Sequence, residues 1–341
     1  MRTYFILCTF IFALSSQAQK SSFDASDIAD SNRTPSLTET IETISAGIFP
    51  KKPVKSETTT AATVVEVKNI ALINGDKDDF SPVFYENGLM FCSNSKKKSK
   101  NKEDDADDFN LKYAAFDSLG NLMKPHSMPN VNSKFQEGPS CFSNTFDILY
   151  LTRVMDRADA KPTSKKIPTL KIYVKEKDST GWKGNNIFPF ESGKYSYCHP
   201  TMSADGKKLY FASNMPGGYG GMDIYVIRKL QDGKWTQPIN LGPRVNTEKN
   251  EIFPFINEKG ILYFSSNGMP NGKGGLDIYH IDIDERTSRA TPMGDAFNTP
   301  SDDFGIMFMP KNDKKGFFSS NRPGGNGGDD IYGFEIKTEN K

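Results

Sequence analysis

Histidine, tryptophan and cysteine are all scarce: the 341 residues include 3, 2 and 4 of them. Four cysteines do not make a disulfide scaffold, and Cys8 lies in an N-terminal apolar run. Cys92, Cys141 and Cys198 are then an odd set, and each falls in or beside a predicted strand as a small buried apolar residue. His126, His199 and His280 stand at different places in the chain's internal repeat, so repeat symmetry assembles no imidazole centre. A Gly-x-Ser-x-Gly elbow and a His-Glu-x-x-His helix are both missing. An excess of one charge is missing too. Lys plus Arg is 43, Asp plus Glu is 42, and the formal net charge is +1. That excludes the concentrated positive field that nucleic-acid binding needs.

Long apolar runs are absent except at the start, where Tyr4 to Leu14 follow Arg2 and precede Ser16-Gln17-Ala18. The run falls well short of the roughly 20 residues that span a bilayer. Charge, short apolar core and small-residue site read as a cleavable export signal over 1–18, with the mature chain starting at Gln19. The expected location is the periplasm, in association with the outer membrane, with no membrane span after cleavage. Residues 19–62 read as a Ser/Thr-rich linker. Within it, Ser36 and Glu39 fit a capping box, and Leu37, Ile41 and Ile44 share one helical face. That island is either a transient turn of helix or a short docking peptide.

What is abundant is glycine, proline and phenylalanine, at 28, 20 and 25 residues, which suits many short strands and turns. Residues 199–230, 253–283 and 304–336 are copies of one unit. Each has an apolar strand, a turn, a strand closing in Ser-Asn, a Gly-rich loop, and Asp-Ile-Tyr opening a third strand. Weaker copies begin at 81 and 138, with third strands at 110–116 and 171–177. The closing residue recurs as Asn94, Arg153, Asn214, Asn267 and Asn321. A period of about 50 residues with four short strands per unit indicates a β-propeller. Outer strands are predicted at 120–125, 181–187, 233–241 and 288–293, and a further one at 63–72 ahead of the first unit. The fold class is therefore all-β: a propeller over 63–341 with five four-stranded blades. It is closed by pairing Val64–Val67 with the last strand, Ile331–Ile336, and six blades is the runner-up.

The Gly-rich loops join strand to strand, so they are not phosphate cradles, which open a helix. Asp223, Asp277 and Asp330 recur before Ile-Tyr. Each is expected to pin its loop by accepting backbone N–H bonds. Calcium is the other reading, but one carboxylate per loop is too few for it, and no metal or cofactor is expected. The first two units carry Asn110 and Lys171 at that place. Lys96 to Asp108 form adjacent blocks of opposite charge, read as a solvated excursion. Trp182 and Trp235 are expected to pack blades. Paired carboxylates remain open at this level, because spatial pairing is invisible in the sequence.

The run FSSNRPGGNGGDDIY (318–332) and its two strong copies resemble TolB-type, WD40-like propeller repeats. More narrowly, they are similar to the propeller region of PorE-like, OmpA-family envelope proteins associated with type IX secretion and gliding. The resemblance implies a non-enzymatic periplasmic scaffold whose partner is an envelope protein such as a PorP/SprF-like outer-membrane β-barrel. It transfers no catalytic residue. On that reading the contact residues are Asn214, Tyr219, Asn267, Asn321 and Arg322, on one rim of Gly-rich loops. The alternative is a glycan-binding or glycan-cleaving propeller, which a cluster of aromatics and carboxylates at one central mouth would favour.

Overall fold

The computed structural model describes residues 62–94, 109–133, 135–154, 169–188 and 194–339. The signal, the linker with its capping-box island and the Lys96–Asp108 charge blocks lie outside the described residues.

Strand β1 (Ala62–Asn69) comes first and belongs to the last blade. Blade 1 is β2 (Asp79–Tyr85), β3 (Gly88–Asn94), β4 (Phe109–Ala115) and β5 (His126–Ser127). Blade 2 is β6 (Glu137–Phe142), β7 (Ile148–Val154), β8 (Leu170–Asp178) and β9 (Gly181–Ile187). Blade 3 is β10 (Tyr197–Met202), β11 (Lys208–Ser213), β12 (Asp223–Arg228) and β13 (Ile239–Asn240). Blade 4 is β14 (Glu251–Ile256), β15 (Ile261–Ser266), β16 (Asp277–Asp282) and β17 (Thr291–Pro292). Blade 5 runs β1-β20-β19-β18, with β18 (Asp303–Phe308), β19 (Lys315–Ser320) and β20 (Asp330–Glu339). Five four-stranded antiparallel sheets thus close into one five-bladed propeller.

The closure pairs Val64 with Lys337, Val65 with Ile336 and Val67 with Phe334, so β20 is covered on both sides and β1 becomes the outer strand of blade 5. Val65 and Val67 pack on the apolar cluster of blades 4 and 5, which holds Phe318, Tyr332 and Phe334.

Three of the predicted outer strands are shorter than the sequence suggests. β5, β13 and β17 have two residues each, and β5 falls just beyond 120–125. Pro125, Pro238 and Pro292 stand in or beside them, and a proline has no N–H to give a ladder, which keeps an edge strand short. The alignment of Arg153 with the closing asparagines also shifts by one. Arg153 faces Glu137 and Lys171, the place that Ser93, Ser266 and Ser320 hold in blades 1, 4 and 5.

Every innermost strand carries a bulge at the same place, with register shifts at 80/83, 137/140, 198/201, 252/255 and 304/307. Ser81, His199, Phe253 and Gly305 have positive φ there. A bulge bends the strand and re-aims a side chain. Here the rings meet across the axis: His199 stacks on Phe253 at 4.0 Å, Phe253 lies 4.8 Å from Phe304, and Phe80 lies 6.1 Å from Phe304 and 5.5 Å from Phe109. The axis is therefore plugged, and the propeller has two separate mouths.

Candidate functional site

The two mouths differ in chemistry because different segments build them. One is framed by the Gly-rich loops and by the starts of the innermost strands. The other is framed by the hairpin turns that follow those strands.

At the glycine-loop mouth the backbone plan repeats from blade to blade. At three of the blade contacts the residue before an innermost strand accepts the N–H of the residue before the third strand of the preceding blade. Asn250 Oδ1 takes Met222 N at 3.0 Å, Asp302 Oδ1 takes Leu276 N at 2.7 Å, and Asp78 Oδ1 takes Asp329 N at 3.2 Å. The loops sit tightly on the next blade's entry. A Cβ on Gly274 would lie 2.0 Å from Ser301 O, and one on Gly327 would lie 1.7 Å from Lys77 O, so only glycine allows the approach.

The side chains one residue before the place of Asn110, Lys171, Asp223 and Asp277 are Phe109, Leu170, Met222 and Leu276, all buried in one apolar cluster. The fifth is Asp329. Burial pushes its carboxyl up to about 8, and the neighbouring charges of Asp78, Asp302 and Asp330 add to the rise. A bond to Asn321 opposes it. The Asn321 carboxamide also donates to Asp302 Oδ2 at 3.2 Å, and Asn94 Nδ2 donates to Asp78 Oδ2 at 3.4 Å. Asp78, Asp302 and Asp329 thus form one group, in which Asp329 carries a proton at neutral pH beside two further carboxylates. Such a pairing of acid and carboxylate is the arrangement used for proton transfer to a leaving group.

The proposed rim residues lie on this same face. Asn214, Asn267 and Asn321 each accept the N–H of the residue before an innermost strand: Ser196 at 2.7 Å, Asn250 at 3.0 Å and Asp302 at 2.9 Å. Arg322 bonds Asp303 at 2.7 Å and the carbonyls of Ala296 and Phe297, over the rings of Phe318 and Tyr332. Tyr219 is half exposed on its loop. Asp277 accepts Lys273 N at 2.7 Å and Gly274 N at 3.0 Å. Asp223 accepts from Tyr219 and Gly220, and Asp330 from Asn326 and Gly327.

The hairpin mouth is a cup of about 710 Å³. Phe84, Phe146, Met202, Phe255 and Met309 line it half-buried, and Glu258, Lys259, Lys311 and Asp313 stand among its lining residues. Its floor includes His199, which burial depresses to about 3 and which therefore stays neutral at physiological pH. His199 Nδ1 accepts the Phe253 N–H at 3.3 Å, so the ring is a packing element.

No protein-family model matches the chain, and neither does any curated protein. Among solved structures it is similar to the TolB-type protein of Agrobacterium tumefaciens (14% identity, 76% of this chain and 78% of that one, TM-score 0.43). It is also similar to a protein of the GH130 family, described as mannoside phosphorylases and glycoside hydrolases that target β-1,2-mannosidic linkages in Candida mannan (13%, 85% and 98%, 0.45). A third is the α-L-arabinofuranosidase of Lactobacillus brevis (10%, 80% and 94%, 0.47). The propeller class implied by the TolB-type resemblance is the class that the chain forms. The expectation of a non-enzymatic scaffold is corrected by this set, in which glycoside hydrolases recur. At these identities the likeness is one of fold, and the chemistry rests on this chain's own residues.

Asp329 was within reach of the sequence. Aligned, the three strong copies read GGMDIY, GGLDIY and GGDDIY, and the third breaks an apolar position with an acid.

Proposed function

We propose that the glycine-loop mouth is an acid–base site directed at a glycan, with Asp329 as proton donor and Asp78 and Asp302 as the carboxylates beside it. One observation carries this reading. Four blades fill the position just before the loop-pin place with a buried apolar side chain, and the fifth places a carboxyl there. Nothing in the blade plan needs an acid at that point. Holding a half-buried carboxyl beside the carboxylates of Asp78, Asp302 and Asp330 costs stability, so its presence is accounted for by chemistry.

Glycoside cleavage uses two such groups. Asp329 would give its proton to the glycosidic oxygen as the bond to the anomeric carbon breaks. Asp78 or Asp302 would take a proton from the water that attacks that carbon. Asp78 and Asp302 each hold one oxygen on a backbone N–H, which fixes their orientation while the second oxygen meets only an asparagine amide. The export reading of residues 1–18 and the narrower resemblance to envelope propellers support the periplasm as the place of action, where envelope glycans are the substrate class at hand.

The test is release of reducing sugar from aryl glycosides and from envelope polysaccharide, with Asp329→Asn, Asp78→Asn and Asp302→Asn alongside. Hydrolysis reduced by a factor on the order of 100 in Asp329→Asn supports the assignment. Neither hydrolysis nor glycan binding by the folded chain would remove it.

A further inference from the structure

We propose that the cup on the hairpin face is the docking site of this chain's own N-terminal extension, with Leu37, Ile41 and Ile44 seated in it. The inference does not rest on the glycan reading, because the aromatic plug separates the cup from the acidic mouth.

The cup is the wrong surface to leave bare. Phe84, Phe146, Met202, Phe255 and Met309 come from all five blades, one from each, and converge half-buried on one concavity. Its volume is of the size that encloses a compact ligand or a few side chains, and apolar concavities of this kind mark binding sites.

The course of the chain says what covers it. β20 pairs with β19 only as far as Glu335, then continues to Glu339 paired with β1 alone. Glu335 faces Lys315, the first residue of β19, which follows the hairpin turn lining the cup. The β1–β20 ribbon therefore overhangs the propeller on the cup side, and Ala62, where the extension arrives, is at its tip.

From β1 to the innermost strand of the same blade is three strand spacings, roughly 14 Å. Residues 48–61 reach on the order of 45 Å when extended. The island at 35–47 can thus be delivered to the axis without strain. Its apolar residues recur at i, i+4 and i+7, the spacing with which a segment anchors one face in an apolar groove. The charges at the cup are balanced, Glu258 and Asp313 against Lys259 and Lys311, with Lys259 paired to Asp313, so the apolar spacing and the reach of the chain carry the fit.

The experiment places a photo-crosslinking amino acid at position 255 or 309 of the full mature chain, with position 219 on the opposite face as control. The expected product is a crosslink within one chain that maps to residues 35–47. Its yield is unchanged on about tenfold dilution and lost in the triple variant L37D/I41D/I44D. In parallel, fluorescence of 1-anilinonaphthalene-8-sulfonate rises severalfold in that variant as the cup is uncovered. A crosslink to a second copy that grows with concentration overturns the proposal. So does the absence of any crosslink to 35–47 together with equal dye fluorescence in both proteins.

Discussion

Asp329 holds in blade 5 the position that Leu276 holds in blade 4: each donates its N–H to an aspartate before the next innermost strand, and each precedes a loop-pinning aspartate. Only the side chains differ. Replacing Asp329 by Leu should therefore complete the apolar ring. At pH 8 this variant should be more stable than the parent chain, on the order of 1–3 kcal/mol, and inactive on any glycan the parent cleaves. Denaturant unfolding checks the first part and a hydrolysis assay the second. A destabilised Asp329→Leu would mean that the acid is part of the packing.

The same carboxyl makes stability depend on pH in a fixed direction. Its native pKa of about 8 lies above the ordinary value of 3.8, so the native state holds a proton that the unfolded chain has released. The associated stability is complete below about pH 4 and is lost as pH rises through about 8. Burial also raises Asp79 and Glu251, whose contributions fall with pH in the same direction. Melting temperatures from pH 5 to 8 should therefore decline, and Asp329→Asn should make that decline shallower throughout. A flat profile in the parent chain would contradict a protonated Asp329.

Much of this was legible in the sequence. Three strong copies with Ser-Asn, a Gly-rich loop and Asp-Ile-Tyr fix the strand order, and the spare strand at 63–72 foretells the closure. The outer strands were less legible because their prolines act on the ladder, not on hydrophobic alternation. The bulges that plug the axis were invisible, since Ser81-Pro82, His199-Pro200 and Phe253-Pro254 share only a proline. The acidic mouth was half visible: Asp329 stands out in the aligned copies, but Asp78 and Asp302 reach it only through ring closure and blade contact, which join residues far apart in the chain.

The loop pins can be measured one at a time. Asp277→Ala leaves the N–H groups of Lys273 and Gly274 without their acceptor. The expected loss is on the order of 1–3 kcal/mol by denaturant unfolding. Because the carboxylate is held by backbone donors, adding chelator or calcium to the parent chain should leave its melting temperature in place. A chelator-induced drop that disappears in Asp277→Ala would make the position a metal ligand instead.

Blade 2 has Lys171 at the pin position and a buried ion pair next to it, and the pin and the pair should fail differently. Arg153 and Glu137 are buried, with Nε and Oε2 2.8 Å apart, and Arg153 lies over the Tyr173 ring. Removing the carboxylate alone, as Glu137→Ala, strands the guanidinium and should cost about 3–5 kcal/mol. Replacing both partners by apolar residues, as E137L/R153M, removes the desolvated charges together and should cost less than the single change. Unfolding free energies of the two variants decide it. If the double variant is the less stable, the guanidinium contributes more through Tyr173 and its bond to Asn185 than through Glu137. The stability of blade 2 would then come from packing around the arginine, and the carboxylate would serve mainly to accept the Ser133 N–H, as Asp79 does for Gly75 in blade 1.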